Sequence, residues 1–293
     1  MNPISLPVQN VSDTAFLTAL YRALESDRPD ALFHDPYARK LAGVRGEQVF
    51  RQMPYPEKLA PGAIVRTCVL DELILRSVEQ NGVEAVLNLG AGLDTRAYRL
   101  PLPKSLLWVE ADMLNIIDYK TRILADHQPI CTLQSVALDV TNAAARQDVL
   151  QHIGTHATQI LVVTEGLIVY MQSEQVITLA RDLWVQPQVV GWLTDLVSPL
   201  WLKVMGKVVN TSEQATHTAQ FQFAPEDGGN FFRELGWDTV EFRSVLEDGQ
   251  QLQRLELPEP LLALWSSPEH REVLRQMCSV VLMQRLASKC KHS

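Results

Sequence analysis

Apolar positions along the chain keep two rhythms, one helical and one strand-like. In TAFLTALYRALES (Thr14–Ser26), Phe16, Ala19, Leu20, Ala23 and Leu24 form one stripe at helical spacing, with Ser12 or Asp13 placed to cap it. A loop follows over DRPDALFHDPYARK, and the stretch Gly43–Gly62 shows no assignable period. A second helix is predicted from Ile64 to a C-capping Gly82. From Val86 the rhythm changes: short apolar runs at Val86–Leu89, Leu106–Asp112, Ser135–Val140 and Gln159–Met171 alternate with helical stretches to about Val197. Such alternation is the signature of a parallel, doubly wound α/β sheet. The uninterrupted run in QILVVTEGLIVYM marks a central strand buried on both faces. Ser198–Phe223 breaks the alternation and reads either as a lid over a substrate pocket or as a surface helical hairpin at a dimer contact. DGGNFFRELGWDTV predicts a helix and turn, and CSVVLMQRLA (Cys278–Ala287) a late strand.

The first apolar run leads into a glycine turn, VLNLGAGLDTR (Val86–Arg96), predicted to open a helix. Glycine lacks a Cβ, so Gly90 and Gly92 let bare backbone approach a ligand. In open α/β sheets ligands sit at the carboxyl ends of the strands, where strand order reverses. A dinucleotide fingerprint needs a third glycine, but Thr95 occupies that position, and no Gly-Lys-Ser or Gly-Lys-Thr phosphate loop is present. Asp94 beside the turn opposes a phosphate and suits a cofactor carrying an amino group and a carboxylate, such as S-adenosylmethionine.

Acids recur at the ends of the following strands. LLWVEAD ends in Glu110 and Asp112 about twenty residues after the turn, the spacing of a ribose-binding acid. The two share a strand face, so either could serve. SVALDV ends in Asp139, which could accept from an adenine amine or cap the helix TNAAARQDVL. The fourth strand brings Glu165 to the cleft, near where a sulfonium would sit.

These segments resemble the leucine carboxyl methyltransferase family of S-adenosylmethionine-dependent methyltransferases. The resemblance is carried by HDPYARKLAG (His34–Gly43), VRT (Val65–Thr67), NLGAGLDTRAYRL (Asn88–Leu100), EAD (Glu110–Asp112), LDV (Leu138–Val140) and EGLIVYM (Glu165–Met171). It spans about residues 12–200, and FFRELGWDTVEF (Phe231–Phe242) extends it. It implies a Rossmann-like, doubly wound, seven-stranded and mostly parallel sheet whose last strand is antiparallel, with N-terminal helices and a helical lid. The expected layout is one domain: a helical cap at 1–82, a cofactor-binding core at 83–197, a lid at 198–226 and the rest of the core at 227–293. It also implies roles: Arg66 grips the methionine carboxylate, Gly90 passes its backbone beside the methionine, Asp112 holds the ribose, Asp139 with the Val140 backbone holds the adenine, and Glu165 meets the methionine amino group. Arg22 would add a second cation. His34 and Tyr170 are the candidates for assisting an acceptor, Tyr170 by orienting its oxygen.

Net charge is −8 and no basic tract occurs, so neither a nucleic-acid backbone nor an anionic membrane is an expected partner. Cys68, Cys131, Cys278 and Cys290 have no paired spacing, and the seven histidines form no ligating cluster, so no metal is expected. MNPISLPVQN lacks the features of a signal peptide, and no apolar run is long enough to span a membrane. Reduced thiols then fit the cytoplasm. The expected function is O-methylation of a carboxylate or hydroxyl on a small, fairly apolar acceptor, with a second copy of the chain, as a homodimer, the one protein partner considered. The alternatives are a protein C-terminal carboxyl methyltransferase, a nicotinamide-dependent oxidoreductase and a non-catalytic cofactor-binding protein.

Overall fold

In the computed structural model, residues 11–53, 55–209, 221–256 and 265–286 are described. The N-terminal stretch 1–10, the middle of the expected lid (210–220) and Cys290 lie outside them. Seven strands form one sheet: β1 (Ala85–Leu89), β2 (Leu107–Asp112), β3 (Thr132–Ala137), β4 (Ile160–Thr164), β5 (Val189–Val197), β6 (Trp237–Ser244) and β7 (Cys278–Arg285). Their order is β3-β2-β1-β4-β5-β7-β6. Pairings from β3 to β5 are parallel, and β7 runs antiparallel to both β5 and β6. The doubly wound sheet with a reversed last strand is thus present.

β1 and β4 are buried at every position because helices cover both faces. On one face Leu87, Leu89, Val162 and Trp192 pack under α6 (Ala143–Gly154) and α7 (Ser173–Val185). On the other, Val86, Val163, Leu193 and Val280 pack under α3 (Pro56–Gln80). Strand order reverses between β1 and β4, which leaves their carboxyl ends facing a common crevice. Helices α1 (Val11–Ser26) and α2 (Ala38–Gln52) cap that end through their own apolar clusters.

Several boundaries differ from the sequence expectation. α1 already includes Ser12 and Asp13, and Asp13 pairs with Arg45 at 2.7 Å. The unassigned stretch becomes the second part of α2 and the start of α3; Gly43, at φ +51°, kinks α2 and interrupts its period. Gly82 follows the α3 C-cap Asn81 at φ +69°, as a terminal glycine should. The fourth strand stops at Thr164, and after Gly166 at φ +59° the chain enters a 3₁₀ turn, Ile168–Tyr170. Trp237–Ser244 is a strand where a turn was expected, preceded by a 3₁₀ segment at Gly228–Leu235. The remaining elements are α4 (Arg96–Arg99), α5 (Leu114–Ile123), α8 (Pro199–Val209), α9 (Val245–Gln251) and α10 (Pro268–Arg275). Among the described residues no helix is long and apolar enough to cross a membrane, and none of their His, Cys, Asp or Glu side chains cluster as a metal site.

Candidate active site

A cavity of about 1310 Å³ opens at the carboxyl ends of β1 to β5. Arg22, Arg66, Gly90, Gly92, Asp94, Asp112, Asp139, Val140, Glu165 and Tyr170 all line it. The turn after β1 is closed by backbone geometry. Gly90 sits at φ +68°, and a Cβ there would lie 2.9 Å from Leu167 Cδ1. The Gly90 N–H donates to the Ala111 carbonyl at 2.8 Å, and the Gly92 N–H to Asp112 Oδ2 at 2.7 Å. The glycine turn is therefore laced to the tip of β2. Asp112 Oδ1 also accepts from the Met113 N–H at 2.7 Å. Burial nevertheless pushes the Asp112 carboxyl up from its ordinary value.

Glu110 does not reach the cavity lining. It is 2% exposed, pairs with Lys120 of α5 and accepts from Ser135 Oγ at 2.7 Å. The two-residue period put Glu110 and Asp112 on one face but said nothing of depth, and α5 covers the deeper position. Only Asp112 of the pair is placed to meet a ligand. Asp139 is exposed at the rim and accepts from the Thr141 N–H and hydroxyl at 2.9 and 2.7 Å. Asn142, not Asp139, caps α6. His34 is exposed and lies outside the lining, which removes it as an acceptor-side candidate. Its neighbour Asp35 is structural, accepting from the Ala38 N–H at 3.0 Å, Thr95 Oγ1 at 2.6 Å and Arg22 Nε at 2.9 Å. Arg22 also donates to the Leu93 carbonyl at 2.6 Å, so it ties α1 to the glycine turn.

The cavity floor is a network of buried charges. Arg96 is 2% exposed, and its Nη1 reaches Asp94 Oδ2 at 2.6 Å and Glu165 Oε2 at 2.8 Å. Its Nε reaches Asp71 Oδ1 at 2.6 Å, and Arg99 donates to both oxygens of Asp71. Asp94 further accepts from the Arg96 N–H at 2.6 Å and Asn88 Nδ2 at 2.9 Å. Burial raises the Asp94 and Glu165 pKa values, but neighbouring cations outweigh it and both carboxyls stay below their ordinary range. For Asp94 the main cation is Arg96; for Glu165 they are Arg96 and Arg66. Arg66 donates from Nε to Glu165 Oε1 and from Nη1 to Asp195 Oδ2, both at 3.0 Å. Asp94 thus lines the cavity chiefly as the holder of Arg96. The sequence reading missed Arg96, Asp71 and Asp195; the single available signal was an arginine directly after the Asp-Thr of the turn.

Tyr170 hydrogen-bonds Thr14 of α1, and burial raises its hydroxyl pKa, which keeps it protonated. Its ring lies 5.2 Å from Phe221. Trp201, Val204, Met205, Phe221 and Gln222 add a wall from the inserted segment, anchored by the Gln222 N–H on the Val169 carbonyl at 2.7 Å.

The sequence model of the leucine carboxyl methyltransferase family matches residues 15–183. A Parafrankia protein provisionally named an S-adenosyl-L-methionine-dependent methyltransferase is 34% identical over 182 residues, covering 59% of this chain and 58% of that protein. A Mycolicibacterium paratuberculosis protein with the same provisional name is 34% identical over 180 residues, covering 56% and 65%. The chain therefore spans less than two thirds of the length of these curated relatives. Among solved structures, a DUF574 family protein from Streptomyces avermitilis superposes with TM-score 0.59 at 13% identity, over 92% of this chain and 97% of that one. A provisionally assigned methyltransferase from Thermobifida fusca superposes with TM-score 0.57 at 13% identity, over 98% of each chain. These structures share the fold. With the family match extending over more than half of its length, the chain belongs to the leucine carboxyl methyltransferase family.

Proposed function

We propose that the protein is an S-adenosylmethionine-dependent methyltransferase acting on an oxygen, carboxylate or hydroxyl, of a small apolar molecule. The observation that carries this reading is the set of side chains at consecutive strand tips: the glycine turn after β1, Asp112 ending β2, Asp139 after β3 and Glu165 after β4, all on one cavity. The cofactor fits these residues. Gly90, Gly92 and Asn88 line the cavity, and Asn88 Oδ1 is buried without a hydrogen-bond partner among the described residues. Small-ligand pockets span roughly 300–1,000 Å³. A cavity of about 1310 Å³ has space for a cofactor and an acceptor together.

When bound, S-adenosylmethionine supplies a methyl group on a sulfonium, open to in-line displacement. Arg66 offers its guanidinium to the methionine carboxylate, and Glu165 offers a carboxylate to the amino group. Asp112 accepts from the ribose hydroxyls; Asp139 and the Val140 backbone face the adenine. Tyr170, held by Thr14, donates to the acceptor oxygen and orients it. A carboxylate acceptor needs no base at neutral pH, which suits a cleft where Tyr170 stays protonated. Trp201 and Met205 of α8 supply apolar wall to the cavity and help to exclude water.

Calorimetric titration with S-adenosylmethionine and S-adenosylhomocysteine tests the cofactor; micromolar binding of both is expected, and no binding by folded protein refutes the reading. Transfer of labelled methyl only to nitrogen or carbon acceptors refutes the oxygen assignment.

A further inference from the structure

Asp195 lies near the carboxyl end of β5 and has no direct part in the chemistry proposed above. It is 5% exposed, lines the cavity and spans two parts of the site. Its Oδ2 accepts from Arg66 Nη1 at 3.0 Å, and its Oδ1 accepts from the Gly166 N–H at 2.6 Å. Arg66 comes from α3, and Gly166 lies between Glu165 and the 3₁₀ turn bearing Tyr170. One carboxylate therefore fixes the guanidinium and the left-handed turn beside it against each other. Glu165 occupies Arg66 Nε and Asp195 occupies Nη1, so the planar fork is clamped on two sides. Cys278 lies beside this pair at the start of β7; burial pushes its thiol up to about 12, so it stays neutral and leaves the pairing to the carboxylates.

We propose that Asp195 is a positioning residue for the amino-acid end of the cofactor: it aims Arg66 at the methionine carboxylate and sets Gly166 so that Glu165 faces the amino group. This rests on the methyltransferase reading. Asp195 touches neither reacting atom, so its effect should follow the amino-acid moiety and spare the nucleoside.

The test compares S-adenosylhomocysteine with 5′-methylthioadenosine, which lacks that moiety, by calorimetry on the whole chain. Asp195→Asn keeps an acceptor for the Gly166 N–H and removes the charge that holds Arg66. It should weaken S-adenosylhomocysteine binding about tenfold and leave methylthioadenosine binding unchanged, since charge-assisted hydrogen bonds are about twice as strong as neutral ones. Asp195→Glu, which keeps the charge but displaces it by one methylene, should lower the same affinity ratio and serves if the Asn variant does not fold. A ratio equal to wild type in a folded variant overturns the proposal, as does an equal loss for both ligands, which marks a purely structural role. If wild-type protein binds neither ligand, the methyltransferase reading itself has failed, and this inference falls with it.

Discussion

Arg96→Met removes the cation at the centre of the cavity floor, and its cost can be worked out partner by partner. Asp71 keeps two contacts from Arg99, and Glu165 keeps Arg66 at 3.0 Å. Asp94 has no other salt bridge among the described residues; it is left with neutral donors, the backbone N–H of residue 96 and Asn88 Nδ2. The substitution therefore strands one buried carboxylate. Breaking a buried pair in this way costs about 3–5 kcal/mol, against a total stability of about 5–15 kcal/mol. The assay is urea unfolding near neutral pH and again in mild acid, read by the midpoint at constant slope. In the wild type Arg96 holds the folded-state pKa of Asp94 below its ordinary 3.8, so this contribution is complete above that value and fades as pH falls toward the folded-state pKa. In the variant, burial without the cation raises that pKa instead, so acid relieves the penalty. The gap between the two proteins should thus narrow as pH drops. Adding Asp94→Asn should recover most of the loss. A deficit below about 1 kcal/mol at neutral pH, the range of exposed ion pairs, or a deficit independent of pH, would refute the reasoning.

Other substitutions probe the ligand side and the turn. Arg66→Ala should weaken cofactor binding by more than about tenfold, as expected for losing a charged hydrogen-bonding group; an unchanged dissociation constant would move the carboxylate site elsewhere. Asp112→Asn should fold, because an amide oxygen can still accept from Gly92, yet bind S-adenosylhomocysteine about tenfold more weakly by calorimetry; full affinity would show that the ribose lies elsewhere. Gly90→Ala places a Cβ 2.9 Å from Leu167 Cδ1 at φ +68° and should cost about 2–4 kcal/mol in urea unfolding, from left-handed strain plus overpacking. Leu167→Ala in the same chain should return only the packing part, and a neutral single variant would mean that the turn relaxes freely.

Much of this architecture was legible because strands buried on both faces write themselves as unbroken apolar runs. β1 and β4 were found that way, and the glycine turn marked the ligand end of the sheet. What stayed hidden depended on partners far away in sequence. Arg66 and Asp195 are 129 positions apart, and nothing local to either announces the other. Asp71 sits within an apolar helix where an acid reads as solvated, although Arg96 and Arg99 bury it. Glu110 and Asp112 were indistinguishable because a two-residue period reports the face of a strand and not what a neighbouring helix covers. Gly43 hid α2 by interrupting its period; the helical reading ahead of β6 matches the 3₁₀ segment Gly228–Leu235, but Trp237–Ser244 continues as a strand where a turn was expected.

The place of β7 has a consequence for how the chain acquires its shape. Among the described residues β6 pairs with β7 alone, and β7 lies between β6 and β5. β6 is complete by Ser244 but, among the described residues, has no strand to pair with until residues 278–285 are available. The sheet must close through contacts distant in sequence, the kind that slow folding and prolong exposure of unpaired edges. Trp237 packs edge to face on Trp192, 5.7 Å away in the finished protein. That indole pair is a natural clock: its fluorescence should change as the last strand slides between its neighbours and the sheet closes.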